Sequence, residues 1–190
     1  MKSKLEKISE AVKKLLTDKE FLGSIDAAKD AIISSIESGG KLMVCGNGGS
    51  ATQASHMVGE FVGRFGFDRP ALPAISLFDL ATTTAVGNDY GYGDIFSRFV
   101  DGLGKEKDVL FSISTSGNSK NCLKAMESAK IRNIKNIALL GRDGGKMKNL
   151  ADTAITVPFN ETPLVQEIHL MAIHQLCEDI EKHFFGGKTI

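Results

Sequence analysis

The sequence has no tryptophan, two tyrosines, four prolines and three cysteines among 190 residues. The cysteines, Cys45, Cys122 and Cys177, are far apart, odd in number and form no CxxC pair. That pattern argues against a disulfide framework or zinc-finger ligation and for small buried hydrophobes in a reducing compartment. Charge of one sign is not in excess: Lys+Arg and Asp+Glu number 23 each. No global field therefore draws the chain to nucleic acid, and any anion site must be local. No run approaches the roughly 18 apolar residues of a membrane span. The start, MKSKLEKISEAVKKLL, carries charges within each short apolar stretch, unlike a secretory signal. A cytoplasmic protein without membrane or nucleic-acid partners is expected. A Walker loop, GxxxxGK[ST], is also missing.

What is present reads as one α/β domain over residues 1–190. Apolar residues are 42% and charged residues 24%, enough for one full core in a chain too short for two typical domains. Residues 3–17 predict a helix, with Leu5, Ile8, Val12, Leu15 and Leu16 on one stripe. A second helix over residues 19–38 stops at Gly39-Gly40. Residues 1–38 thus form a helical segment expected to pack on the core or on a neighbouring subunit. Beyond it, strands are predicted at residues 41–45 (KLMVC), 74–78 (AISLF), 108–112 (DVLFS), 136–140 (NIALL) and 153–157 (TAITV). Helices are predicted at residues 51–64, 80–86, 94–102, 119–132 and 161–184. This alternation specifies a doubly wound, five-stranded parallel sheet flanked by helices. Its strands read as continuous apolar runs because both faces are buried. KLMVC-GNGGS-helix and DVLFSI-STSGNS-helix repeat one unit of strand, polar loop and helix. Ligands of open α/β sheets bind beyond the carboxyl ends of the strands, where both loops fall.

Several constellations carry potential chemistry. Ser114, Thr115, Ser116 and Ser119 place four hydroxyls in six residues between a strand and a helix. With the helix's free N–H groups and positive dipole end, they make a cradle for a phosphate dianion. The plainer alternative is a polar turn with Ser119 as N-cap. Residues 46–51 (GNGGSA) loosely fit a dinucleotide fingerprint, but Asp79 lies about 30 residues beyond the glycines, where a ribose-binding acid belongs about 20 on. Alternatively the glycines of this loop let the backbone approach a small substrate closely, with Ser50 helping to hold it. His56, Glu60 and Arg64 are spaced i, i+4, i+8 on a helix face. An imidazole and a carboxylate one turn apart can share a metal or a substrate oxygen, with Arg64 as a further substrate contact. The alternative is an exposed stripe with a Glu60–Arg64 ion pair, worth roughly a few tenths of a kcal/mol. Gly59 and Gly63 cost helix stability and so suggest close packing on their side. The last helix carries Gln166, Glu167, His169 and His174 in an apolar pattern. A lone His there is more often a satisfied core residue than a ligand. His183 belongs to a charged, solvated tail. Asn88 and Asp89 fall in a turn-rich stretch, residues 87–93, as a plain connection or as partners for sugar hydroxyls.

Four stretches, GNGGSATQASHMVGEFVGRF, VGNDYGYGDIFSRFV, ISTSGNSKN and VQEIHLMAIH, together resemble the phosphoheptose isomerase (sedoheptulose 7-phosphate isomerase) family of the sugar-isomerase (SIS) fold. The resemblance runs from about residue 41 to the C-terminus, and the two N-terminal helices fit it. It implies an aldose–ketose isomerase that converts D-sedoheptulose 7-phosphate to D-glycero-D-manno-heptose 7-phosphate. That product feeds nucleotide-activated heptose for lipopolysaccharide, capsule or related glycans. The resemblance implies substrate contacts at Asn47, Gly48, Gly49, Asn88, Asp89, Ser114, Thr115, Ser116, Ser119 and Gln166, with the hydroxyl loop on the phosphate. It implies zinc (Zn2+) on His56, Glu60, Gln166 and His174, with Glu60 and His174 as the acid/base pair. It also implies a homotetramer whose active sites lie at subunit contacts.

The chemistry suits these residues. Ketose-to-aldose conversion removes a proton from C1 and returns one to C2 through an enediol. It needs groups that exchange protons near neutral pH, which His and a tuned Glu provide. A zinc ion would polarise the carbonyl. Gln166 and His174 are eight positions apart, about 12 Å along an ideal helix. One ion reaches both only if the side chains lean together or the helix starts after Gln166. The chain departs from the family pattern at Leu164, often Arg, at Gln53, often Asp, and at Pro163, an acid in some members. A rival of another class is a non-catalytic SIS protein, a phosphosugar-binding or replication-initiator-associating (DnaA-associating) scaffold. The scaffold lacks the histidine at the position of His174. An isomerase of another phosphosugar is the second rival.

Overall fold

A computed structural model describes residues 2–186. Helix α1 spans Lys2–Leu15 and α2 spans Lys19–Glu37. Asp18 starts α2 by accepting the Phe21 N–H at 3.0 Å. Ser38 and Gly39, the latter at φ 81°, end it. The strands are β1 Leu42–Gly46, β2 Ala74–Ser76, β3 Val109–Ser114, β4 Lys135–Gly141 and β5 Thr153–Val157. The remaining helices are α3 Gly49–Val62, α4 Leu80–Asp89, α5 Ile95–Leu103, α6 Lys120–Ile131, α7 Gly145–Lys148 and α8 Thr162–Phe185, with a 3₁₀ turn at Tyr92–Asp94.

All four strand pairings are parallel, in the order β2-β1-β3-β4-β5. Side chains alternate between two cores. Leu42, Val44, Phe111 and Leu139 pack with Ile32 of α2, Met57 and Phe61 of α3 and Ile173 of α8. Met43, Leu110 and Leu140 pack on the other face with Phe96 and Val100 of α5 and Met126 of α6. Burial of each large apolar side chain contributes roughly 1.5–3 kcal/mol. Because both faces are covered, the strands read as unbroken apolar runs. The chain steps outward from β1 to β2, then returns to β3 on the other side of β1. The crevice at that reversal is where open sheets take ligands. The polar loops after β1 and β3 open on it.

Four details differ from the sequence reading. β2 is three residues long and ends at Ser76, ahead of Asp79, which caps α4 by accepting the Thr82 N–H at 2.8 Å. α4 runs on through Asn88 and Asp89, which therefore lie on its last turn and not in a loop; Gly91, at φ 97°, makes the break. α3 stops at Val62, so Arg64 is outside the helix that carries His56 and Glu60. α7 was not foreseen, since its two leading glycines, both at positive φ, disguise it as a plain turn. Among the described residues, no helix is long and apolar enough to cross a membrane.

Candidate active site

The loop after β3 is shaped by its own hydroxyls. Ser114 Oγ and Ser119 Oγ lie 2.9 Å apart, and the Gly117 N–H donates to Ser114 Oγ at 3.1 Å. The Asn118 N–H donates to Ser116 Oγ at 3.2 Å. Ser119 precedes α6 but makes no side-chain capping bond, so its hydroxyl is not simply an N-cap. The α6 dipole therefore faces the loop without a capping oxygen, an arrangement that favours an anion. The turn after β4 braces the loop from behind. There the Met147 N–H donates to Gly117 O at 2.9 Å, and the Lys146 N–H to Asn118 Oδ1 at 3.1 Å. Gly117 sits at φ 63°, and a Cβ there would strike the Gly144 carbonyl, so the loop requires glycine.

The loop after β1 is tied to the same corner. Asn47 and Asn121 exchange two amide hydrogen bonds of 2.8 Å, and the Tyr92 hydroxyl donates to Asn47 Oδ1 at 2.8 Å. Asn121 and Tyr92 thus orient Asn47. Neither was singled out from spacing, although both fall within the family-like stretches. A side chain at Gly49 would collide with the Gln166 amide of α8. Ser50 is buried beneath Gly46. Gln53 donates to the Gln166 carbonyl at 2.7 Å, which ties α3 to the first turns of α8. Leu164 packs on the apolar cluster of Leu15 and Val165. Pro163 sits in the first turn of α8, where its missing N–H costs nothing.

Helices α3 and α8 bring His56, Glu60 and His174 together. His56 Nε2 and His174 Nε2 are 2.9 Å apart, and His56 Nε2 is 3.4 Å from Glu60 Oε1. One imidazole must donate to the other at that distance. Imidazole nitrogen and carboxylate oxygen are the donors zinc prefers. Gly49, lacking a Cβ, leaves the space that the Gln166 amide fills. α8 begins at Thr162, so Gln166 is fully helical, and leaning side chains are the only way one ion reaches it and His174. The donor set suits zinc chemically. Among the described residues no three His, Cys, Asp or Glu already form a metal-holding group. Asn88 and Asp89 are exposed, with Asn88 Nδ2 donating to Asp89 Oδ1 at 2.8 Å. Arg64 is exposed, and no Glu60–Arg64 ion pair forms among the described residues. Gly59 has open space at its Cβ position, contrary to the close packing its sequence position suggested.

Other titratable groups are structural. His169 is fully buried, but among the described residues neither ring nitrogen has a hydrogen-bond partner of good geometry, so it is a core residue and not a satisfied one. Asp79 caps α4 through the N–H and hydroxyl of Thr82, which hold its carboxyl below the usual range. A ribose-binding role for it does not arise. The three cysteines are free and buried, and burial pushes the Cys177 thiol far up. His183 pairs at 2.9 Å with Glu37 on the surface.

Residues 5–141 match the SIS domain family. The phosphoheptose isomerase of Helicobacter pylori strain P12 is 48% identical, with 89% of this chain and 96% of that protein covered. The phosphoheptose isomerase of Sulfurimonas denitrificans is 42% identical over 98% of this chain and 96% of its own length. The solved structure of a phosphoheptose isomerase from Francisella tularensis superposes with a TM-score of 0.91 at 39% identity, covering 95% of this chain and 96% of that one.

Proposed function

The chain belongs to the phosphoheptose isomerase family of SIS-domain proteins, and on that premise we propose that it interconverts D-sedoheptulose 7-phosphate and D-glycero-D-manno-heptose 7-phosphate. The observation that carries this reading is the meeting of His56, Glu60 and His174 across α3 and α8. The hydroxyl loop at Ser114, Thr115, Ser116 and Ser119 takes the phosphate. Asn47, held by Asn121 and Tyr92, and the backbone at Gly48 and Gly49 line the sugar. Glu60 and His174 remove the C1 proton and protonate C2. His56, Glu60, Gln166 and His174 would hold zinc, which supplies Lewis-acid polarisation of the carbonyl when bound.

The same reading includes a homotetramer with sites at subunit contacts. Two features support it. α4 carries Asn88 and Asp89 yet buries none of its residues in this chain, and Phe78 and Leu80 beside its start are exposed. Leu16, Leu22 and Met171 rim an apolar groove between α1, α2 and α8. A second copy covering these faces would bury them. Three unpaired thiols support a reducing, cytoplasmic setting, and the product belongs to heptose biosynthesis.

The test is direct. Purified protein is incubated with sedoheptulose 7-phosphate in D2O, and NMR follows the aldoheptose 7-phosphate and deuterium entering at C2. No conversion, with or without added zinc, overturns the reading in favour of the scaffold alternative, which the similarities do not support.

A further inference from the structure

The strongest network outside the reacting groups joins the loop after α3 to α8. Gly63 breaks α3, so the last carbonyls of that helix lack their usual donors. Arg69 supplies them: Nη2 donates to Glu60 O at 2.6 Å and Nη1 to Phe61 O at 2.7 Å. Its Nε donates to Glu181 Oε1 at 2.9 Å. Glu181, on α8 two turns beyond His174, also accepts the Phe65 N–H at 2.9 Å and the Gly66 N–H at 2.7 Å. The Phe65 ring lies 5.7 Å from the His174 ring, tilted by 48°. Both charged side chains are 2% exposed.

A buried ion pair is weak evidence for stability, because desolvation offsets much of the attraction. What this pair does is geometric. Through Arg69 it fixes the backbone of Glu60; through Glu181 and the Phe65 backbone it fixes the ring that packs on His174. We propose that Arg69 and Glu181 are positioning residues that hold Glu60 and His174 in reacting register. The proposal rests on the isomerase reading above. It assigns a role to two residues that touch no substrate.

Glu181→Gln and Arg69→Met test it, with Asp108→Asn as the control. Asp108 is buried at the opposite, amino end of the strands, where it accepts the Lys41 and Lys105 N–H groups and the Lys41 ammonium. Its loss lowers stability without touching the site. At temperatures where all variants are folded, Glu181→Gln and Arg69→Met lower kcat about 10²-fold, the effect of a displacement of about 1 Å, and leave KM within about twofold. The double variant is no worse than the poorer single one, because both changes release one unit. Asp108→Asn keeps its kcat. Equal kcat losses in control and test variants, or a change confined to KM, overturn the proposal. If either test variant fails to fold, Arg69→Lys is read instead. It keeps the charge but not the fork, and must show the same kcat-selective loss. If the wild-type protein turns nothing over, the functional reading falls. The positioning claim is then judged on the His174 imidazole resonances, which Glu181→Gln must shift and Asp108→Asn must not.

Discussion

Replacing His169 with leucine gives a stability change whose size and sign follow from burial alone. The imidazole is fully enclosed, and among the described residues both ring nitrogens lack partners. Burial pushes its pKa down to about 4; the Leu140 main chain opposes this only in part, without a hydrogen bond of good geometry to either nitrogen. The unfolded chain titrates near the ordinary value of about 6.5. Between those values the unfolded state binds the proton and the folded state does not, so stability falls as pH falls. The full contribution is present above about pH 6.5. At pH 4 the loss is about 3 kcal/mol, from a shift of about 2.5 units with the folded site then half protonated. Leucine has no proton to bind and similar bulk. At pH 7, His169→Leu removes two unsatisfied buried nitrogens and is neutral or stabilising by up to about 2 kcal/mol. Urea unfolding at pH 7, 5.5 and 4 measures both effects as the gap between wild type and variant. The gap should widen by about 3 kcal/mol on going to pH 4, with the carboxylates cancelling in the difference. Parallel pH profiles, or a variant several kcal/mol less stable at pH 7, would refute the account.

His174→Ala should reduce turnover by at least about 10²-fold with an unchanged far-UV circular dichroism spectrum; undiminished turnover removes His174 from the acid/base pair. Ser119→Ala should raise KM for the phosphorylated sugar about tenfold, the loss of one hydrogen bond to a charged group, with little change in kcat. An unchanged KM would detach that hydroxyl from the phosphate. Metal analysis should find about one zinc per chain, and chelation should lower turnover until zinc is returned. Full turnover by zinc-free protein would confine catalysis to the side chains.

The sheet was legible because its strands are buried on both faces, which makes them short continuous apolar runs such as KLMVC and NIALL. Boundaries were less so, since they depend on caps. Asp79 starts α4 as its cap, and Gly63 ends α3 before Arg64. His56 and Glu60 were visible as a helical i, i+4 pair because a period of 3.6 puts them on one face. The residues that hold the site were not. Asn121 reaches Asn47 across 74 positions and Glu181 reaches Arg69 across 112. No local periodicity marks such pairs, because only the parallel crossovers bring them together. His174 could be given a role only through the family resemblance, since a lone His on an apolar helix face looks the same as His169.

That contrast separates the two halves of the proposed chemistry. The part of the chain matching the SIS family ends at residue 141, the last residue of β4. Within it lie both polar loops, the helix-dipole cradle, Asn47, His56 and Glu60. Gln166, His174 and Glu181 lie beyond it on α8. A chain with the matched part alone would carry Glu60 but not His174, and so only half of the proposed acid/base pair. On the proposed mechanism the last helix must complete that pair against α3. Here that helix brings an imidazole to 2.9 Å from His56 and a carboxylate that, through Arg69, holds the end of the helix bearing Glu60. The first is the group expected to move the proton. The second explains how two helices from distant parts of the chain keep that group in register.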